Sequence, residues 1–167
     1  TFEALPYREV IAGVDWGYAH PGAAVVVGVR ADGVYDVIDE EYAAGRPLPA
    51  WLTAFATLRE KWRVSRFYAD PSAPMLITEL RRIGAVTAAD NDVWEGIQRV
   101  QALISQRRLR IHARCVNLLR EMEGYSWQRD RREGALREEP VKHADDCVDA
   151  LRYALAGHAR PPAFRAL

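Results

Sequence analysis

No stretch of this 167-residue chain approaches the ~18–20 consecutive apolar residues of a membrane-spanning helix, so no role in a membrane is expected. The first ten residues, TFEALPYREV, lack the basic-then-apolar organisation of a signal peptide, and the chain starts without Met, which reads as a cut from something longer. Cysteine is scarce: Cys115 and Cys147 stand far apart, with no CxxC pair. That spacing excludes a zinc site or a disulfide framework and fits a reducing cytosolic setting. Net charge is missing as well, with 23 basic residues against 23 acidic ones. A uniformly basic nucleic-acid binder is thereby excluded, and any such binding must come from local segregation of charge. The phosphate loop GxxxxGK[ST] occurs nowhere, and there is no internal repeat or low-complexity segment.

What the chain does have is apolar material, 49% of its residues, enough for a sizeable core and too much for disorder. Its length suits one compact domain over 1–167, with an ordered core from about 8 to 157 and a frayed tail over 158–167.

Val10–Trp16 is apolar except for Asp15 and reads as a buried strand, and β-branched Gly22–Arg30 reads as a second. Asp32-Gly33 is a hairpin signal, after which Val34–Tyr42 alternates as a half-exposed third strand does. The period then changes. Leu48–Trp62 carries Trp51, Leu52, Phe55, Leu58 and Trp62 on one helical stripe, with Pro49 in its first turn. A short strand Arg66–Asp70 follows, then a helix Ala73–Ile83 stopped by Gly84, and a strand Ala85–Ala88. Next come a helix Asp92–Gln106 with Ile97, Val100 and Ile104 on one side, a small strand Leu109–His112, and a helix Arg114–Tyr125. Polar Ser126–Lys142, centred on Gly134, is expected to form an exposed hairpin or loop, before a last helix Ala144–Ala156. The order implies an α/β fold: a mixed sheet, an antiparallel three-strand meander plus parallel strands, flanked by helices, with a β-hairpin inserted before the last helix.

Four aspartates stand out. Asp15 is the single charge in an apolar strand, and a buried carboxylate needs something to hold it. A turn near Gly17 could do so. Asp70 ends the fourth strand, where it could simply cap the next helix. Asp146 and Asp149, at i and i+3, share a helix face. Asp145 suits the N-cap position, and acids suit a first turn, yet Asp149 lies deeper than capping requires. If the two strands are neighbours and end level, Asp15 and Asp70 meet. Taken together with Asp146 and Asp149 on a helix, the signals suggest a tetrad, and such a cluster repels itself unless a cation intervenes. All-oxygen ligation suits Mg²⁺ or Mn²⁺, and two such ions suit phosphodiester hydrolysis.

GVDWG, FYADPSA and HADDCVDALRYAL, at 13–17, 67–73 and 143–155, resemble the nuclease domain of phage terminase large subunits, a branch of the RNase H-like, RuvC-like superfamily. The likeness runs from about Val10 to Ala156. It includes EGIQRVQALI at 95–104, which looks like the family's helix before the short final strand. The resemblance implies that Asp15 bridges two metal ions, that Asp70 is the second carboxylate, and that Asp149 is the last aspartate of the family's [D/H]xxDA motif. Asp146 fills the preceding Asp-or-His position, as a ligand or as the group that positions a water. The DD doublet leaves Asp145 open as an alternative, and His143 is near enough in sequence to touch substrate. The resemblance further implies an endonuclease cutting double-stranded DNA with little sequence specificity during viral genome packaging. It would act in the cytoplasm of an infected bacterial host, beside a packaging ATPase domain absent from this chain, a portal and a small terminase subunit.

Charge is segregated where such a reading needs it. Between Ile97 and Lys142 there are eleven basic residues against six acidic. Arg99, Arg107, Arg108, Arg129, Arg131, Arg132, Arg137 and Lys142 are the expected phosphate contacts. An ordinary solvated face is the plainer reading, since Asp130 and Glu133 sit among them. Trp16, Trp51, Trp62 and Trp94 are expected in the core, and Tyr125 and Trp127 are expected to pack rather than stack on bases. Three rivals remain: a Holliday-junction resolvase or other RuvC-like nuclease, an actin-like ATPase lobe, and a non-catalytic scaffold. Branched against linear DNA separates the first, and nucleotide binding the second.

Overall fold

The computed structural model describes residues 6–90, 92–132 and 145–159, with backbone alone for 125–132. Strands β1 (Glu9–Asp15), β2 (Gly22–Val29) and β3 (Tyr35–Ala43) form the antiparallel meander. The turn between β2 and β3 closes where Asp32-Gly33 announced it. Gly33 takes φ +80°, and the Asp32 carboxylate accepts a hydrogen bond from the Val34 amide at 3.1 Å. Helix α1 (Leu48–Trp62) leads to β4 (Arg66–Ala69), which pairs with β1 in parallel, Val14 beside Ala69. Helix α2 (Pro74–Leu80), strand β5 (Val86–Ala88), helix α3 (Val93–Ser105), strand β6 (Leu109–Ile111), and helices α4 (Val116–Arg132) and α5 (Asp146–Ala159) complete the chain. The six strands lie in the order β5-β4-β1-β2-β3-β6, with β5 parallel to β4 and β6 parallel to β3.

Alternation along the strands builds two cores. Ala12, Val14, Ala24, Val26 and Ile38 face α1 and α2 through Trp51, Phe55, Leu58, Leu76 and Leu80. Ile11, Val25, Val27 and Val37 face α3, α4 and α5 through Val100, Leu103, Leu118, Leu151 and Leu155. β2 is buried along its whole length. This explains its unbroken apolar run: covered on both faces and paired on both edges, it has no side for water.

Three expectations need correcting. Ser126–Arg132 is not a hairpin but the continuation of α4; arginine and glutamine are good helix formers, so a polar run without an apolar stripe still extends a helix already begun. The remainder of the expected hairpin, 133–142, lies outside the described residues. α3 is rotated from its expected face: Gly96, Val100 and Leu103 are buried, while Ile104 is exposed and Trp94 is 75% exposed rather than in the core. α5 runs past Ala156 to Ala159, so His158 belongs to it, and its ring meets the Tyr35 hydroxyl at 3.0 Å and Glu9 at 2.8 Å.

Directionality places the site. β1, β3, β4, β5 and β6 point the same way, so their carboxyl ends share one edge of the sheet, and α5 starts at that edge. α5 then descends across β1 in very close contact. A Cβ on Gly13 would run into the backbone carbonyl of Ala150, so glycine is required there for helix and strand to approach. That contact fixes the height of α5 against β1, and with it the position of Asp149 relative to Asp15. Gly13→Ala is expected to push α5 outward and cost about 1–3 kcal/mol of stability, as overpacking a core does. Urea unfolding would check this, and an unchanged midpoint would contradict the close-packing account.

Candidate metal centre

Asp15 is the last residue of β1, half-buried at the sheet's carboxyl edge. Its carboxyl is pushed up to about 7, first by burial and then by the charges of Asp149, Asp70, Asp146 and Asp145. All the aspartates singled out in the sequence therefore bear on one group.

Asp70 follows β4 directly, and its amide donates to the Val14 carbonyl at 3.2 Å, which locks it beside the end of β1. Its carboxylate accepts from the Ser72 amide at 2.8 Å and the Ser72 hydroxyl at 2.6 Å. This is a local Asx turn, not a helix cap. The residue before α2 is Ala73, which offers no side-chain cap.

The first turns of α5 carry the other three. The Asp145 carbonyl accepts from the Asp149 amide at 2.7 Å, so Asp145 stands at the N-cap as its position suggested. A distant residue also serves this end of the helix: the Glu121 carboxylate, from α4, accepts from the Val148 amide at 2.9 Å. Burial is the main reason the Glu121 carboxyl sits at about 8, opposed by those backbone donors and reinforced by Asp146 and Asp145. Burial likewise raises Asp146 and Asp149 above the ordinary carboxylate range, and the Arg152 guanidinium pulls Asp149 part of the way back. Arg152 donates from Nε and Nη2 to Asp149 Oδ1 at 3.2 and 3.0 Å. The Tyr153 phenol, buried beneath, is raised by burial and then by Asp70, Asp15 and Asp149.

Among the described residues, no group of three or more His, Cys, Asp or Glu side chains is gathered tightly enough to hold an ion. Two of the carboxylates are engaged elsewhere, Asp70 by Ser72 and Asp149 by Arg152. The chemistry of the donor set nevertheless fits a hard divalent cation: the groups are all carboxylate oxygens, and burial together with the neighbouring acids, which raise Asp15, disfavours its charge in a way a cation would offset.

Glu121 and Arg152 were not singled out in the sequence. Arg152 had a signal, three residues after Asp149 on the same helix face. Glu121 had none, because its reach to α5 is a long-range contact. The expected basic surface is only partly assembled. Arg107 and Arg108 follow the far end of α3, so they stand at the edge opposite the carboxylates, and Arg108 is spent on the Gly33 carbonyl at 2.8 Å. They are withdrawn from the site. Arg99 lies on α3, 3.9 Å from Glu95. Arg129, Arg131 and Arg132 fall on the α4 backbone, and Arg137, Lys142 and His143 lie outside the described residues.

The model of the family described as the terminase RNaseH-like domain matches residues 12–157. The terminase large subunit of Escherichia phage T5 is 26% identical over 157 residues, which cover 91% of this chain and 36% of that protein. A large terminase from a thermophilic bacteriophage superposes with a TM-score of 0.76 at 25% identity, over 90% of this chain and 40% of its own. The large terminase nuclease of a thermophilic phage, G20c, with bound magnesium, shares the fold at a TM-score of 0.62 and 15% identity, over 89% and 82% of the two chains. A second structure of that nuclease carries zinc. The chain thus spans well under half the length of the first two of these proteins.

The raised carboxyls set a pH dependence. Unfolded, Asp15 loses its proton near 4; folded, it keeps it to about 7, and Glu121 to about 8. Folding therefore holds extra protons across that window, and stability falls as pH rises through it. In chelator, the melting temperature is expected to drop between pH 5 and pH 8. Asp15→Asn should flatten the drop and melt above the parent at pH 8. Parallel melting curves for the two proteins would show that the carboxylates are not coupled.

Proposed function

Because the chain belongs to the terminase RNaseH-like family, we propose that it is the nuclease part of a viral DNA-packaging terminase, a divalent-metal-dependent endonuclease. The observation that carries this reading is Asp15, loaded by four other carboxylates at the edge where strand ends meet the start of α5. Asp15, Asp70, Asp146 and Asp149 would hold two Mg²⁺ or Mn²⁺ ions, with Asp145 and His143 as additional groups. When bound, such ions supply positive charge to the scissile phosphate and acidify water. The chain's own residues do the placing. Val14 and Gly13 set Asp70 and Asp149 at the level of Asp15, and Asp146, at the mouth of α5, would serve either as a ligand or as the group that positions a water. The apolar floor of Tyr153, Ala150 and Ala154 keeps bulk water from beneath the carboxylates.

Double-stranded DNA is the substrate in this reading, approached along the carboxylate edge. Arg99, Arg129, Arg131, Arg132, Arg137 and Lys142 supply phosphate contacts. Such contacts carry little sequence information, so cutting is nearly sequence-independent. The unit is a single domain, 1–167. In the longer protein it works with a packaging ATPase domain, and with a portal and a small subunit in the cytoplasm of an infected bacterial host.

Plasmid nicking and linearisation by the purified chain is the direct test, with Mn²⁺, with Mg²⁺ and with chelator. Cutting should require metal and fall at least a hundredfold in Asp15→Asn, which removes charge with little change of shape. Undiminished cutting by that variant would defeat the reading.

A further inference from the structure

Three charged side chains are buried among the described residues: Asp36, Glu121 and Arg152. Asp36 is satisfied by a two-pronged pair with Arg110, at 2.7 and 3.0 Å. The other two both act on the first turns of α5, and Arg152 does so in an unusual way. Its side chain is 3% exposed, and Asp149 is its ion-pair partner. Nε and Nη2 do not bind one carboxylate oxygen each, as a side-by-side guanidinium–carboxylate pair does. They converge on Oδ1. Nη1, also buried, finds no hydrogen-bond partner. Both of the guanidinium's hydrogen bonds to Asp149 thus go to a single carboxylate oxygen, with Tyr153 as its other polar neighbour.

We infer that Arg152 is a positioning residue: by occupying Asp149 Oδ1 with two donors, it fixes the carboxylate's rotamer and leaves the other oxygen available to a divalent cation that Asp149 and the neighbouring carboxylates would hold. This rests on the metal-dependent reading above. The grip is itself braced from outside. The aliphatic stem of Arg152 lies against α3 where Gly96 leaves room, and a Cβ at 96 would collide with Arg152 Cγ and Cδ. The guanidinium also lies 4.9 Å from the centre of the Tyr153 ring, which limits its sideways movement. Gly96, Arg152 and Asp149 form a chain from α3 to the cation site, and it accounts for the turn of α3 that buries Gly96 rather than Ile97.

The sign of the effect separates this role from a bulk charge effect. A cation that merely sits near a metal site opposes metal binding, so its removal should tighten binding. A positioning cation does the reverse. The test is Mn²⁺ binding by calorimetry and by the free-Mn²⁺ paramagnetic resonance signal, on the whole chain. Arg152→Gln should weaken Mn²⁺ at least tenfold, and Arg152→Lys, which keeps the charge but loses the two-nitrogen grip, should weaken it as well. Gly96→Ala displaces the stem with the charge intact. It should weaken Mn²⁺ severalfold, and it decides the matter alone if the Gln protein does not fold. Cutting by each variant should recover toward the parent level at saturating Mn²⁺, which a loss of folding would not allow. Unchanged or tighter Mn²⁺ binding in folded Gln or Ala variants overturns the inference. A parent that binds Mn²⁺ yet cuts no DNA overturns the nuclease reading and leaves the role of Arg152 standing.

Discussion

Repulsion among the carboxylates around Asp15 is the term against which the rest of the molecule is balanced. Five acids bear on one edge, and water is largely excluded from beneath them. Left to itself, such an edge would spring open or take up protons. The fold opposes this with covalent and packing constraints more than with countercharge. Adjacent parallel strands hold Asp15 and Asp70 level, and a glycine in β1 admits α5 to backbone contact. Within this frame, among the described residues, Arg152 is a basic side chain bonded to one of the acids, and it relieves Asp149.

Much of this was legible in the residues. A lone charge in an apolar strand, Asp-Gly between two β-branched runs, and a tryptophan–phenylalanine–leucine stripe each have one good structural solution, and β1, the hairpin and α1 follow. α1 matches its expected bounds because its apolar period, its early proline and its final Trp62 agree with one another. That the aspartates belong together was legible for the opposite reason: they violate local expectation, and the structure gathers their charges around Asp15.

Other features were not, and the reasons differ. The buried face of α3 leaves an incomplete apolar signature, because a glycine, which carries no hydrophobic signal, is what its neighbour Arg152 requires. Trp94 reads as core by composition, yet it sits in a first turn, on the side away from the sheet. The run after Tyr125 reads as loop because helices are recognised by apolar stripes, and a helix extended by polar residues shows none. Glu121 is invisible in one dimension: a carboxylate serving another helix's amides leaves no trace in the spacing of either.

The descent of α5 across β1 also has a meaning in time. Asp15 and Asp70 lie in the first half of the chain, and Asp146 and Asp149 near its end. The hairpin and the β1–β4 pairing draw on early residues, whereas seating α5 on Gly13 closes one of the longest loops in the molecule. On a ribosome the early strands emerge with Asp15 and Asp70 alone, and Asp146 and Asp149 join them only when α5 is made. Under the function proposed above, the edge is complete only once α5 is seated on β1, so assembly of the site and long-range closure of the fold are one event.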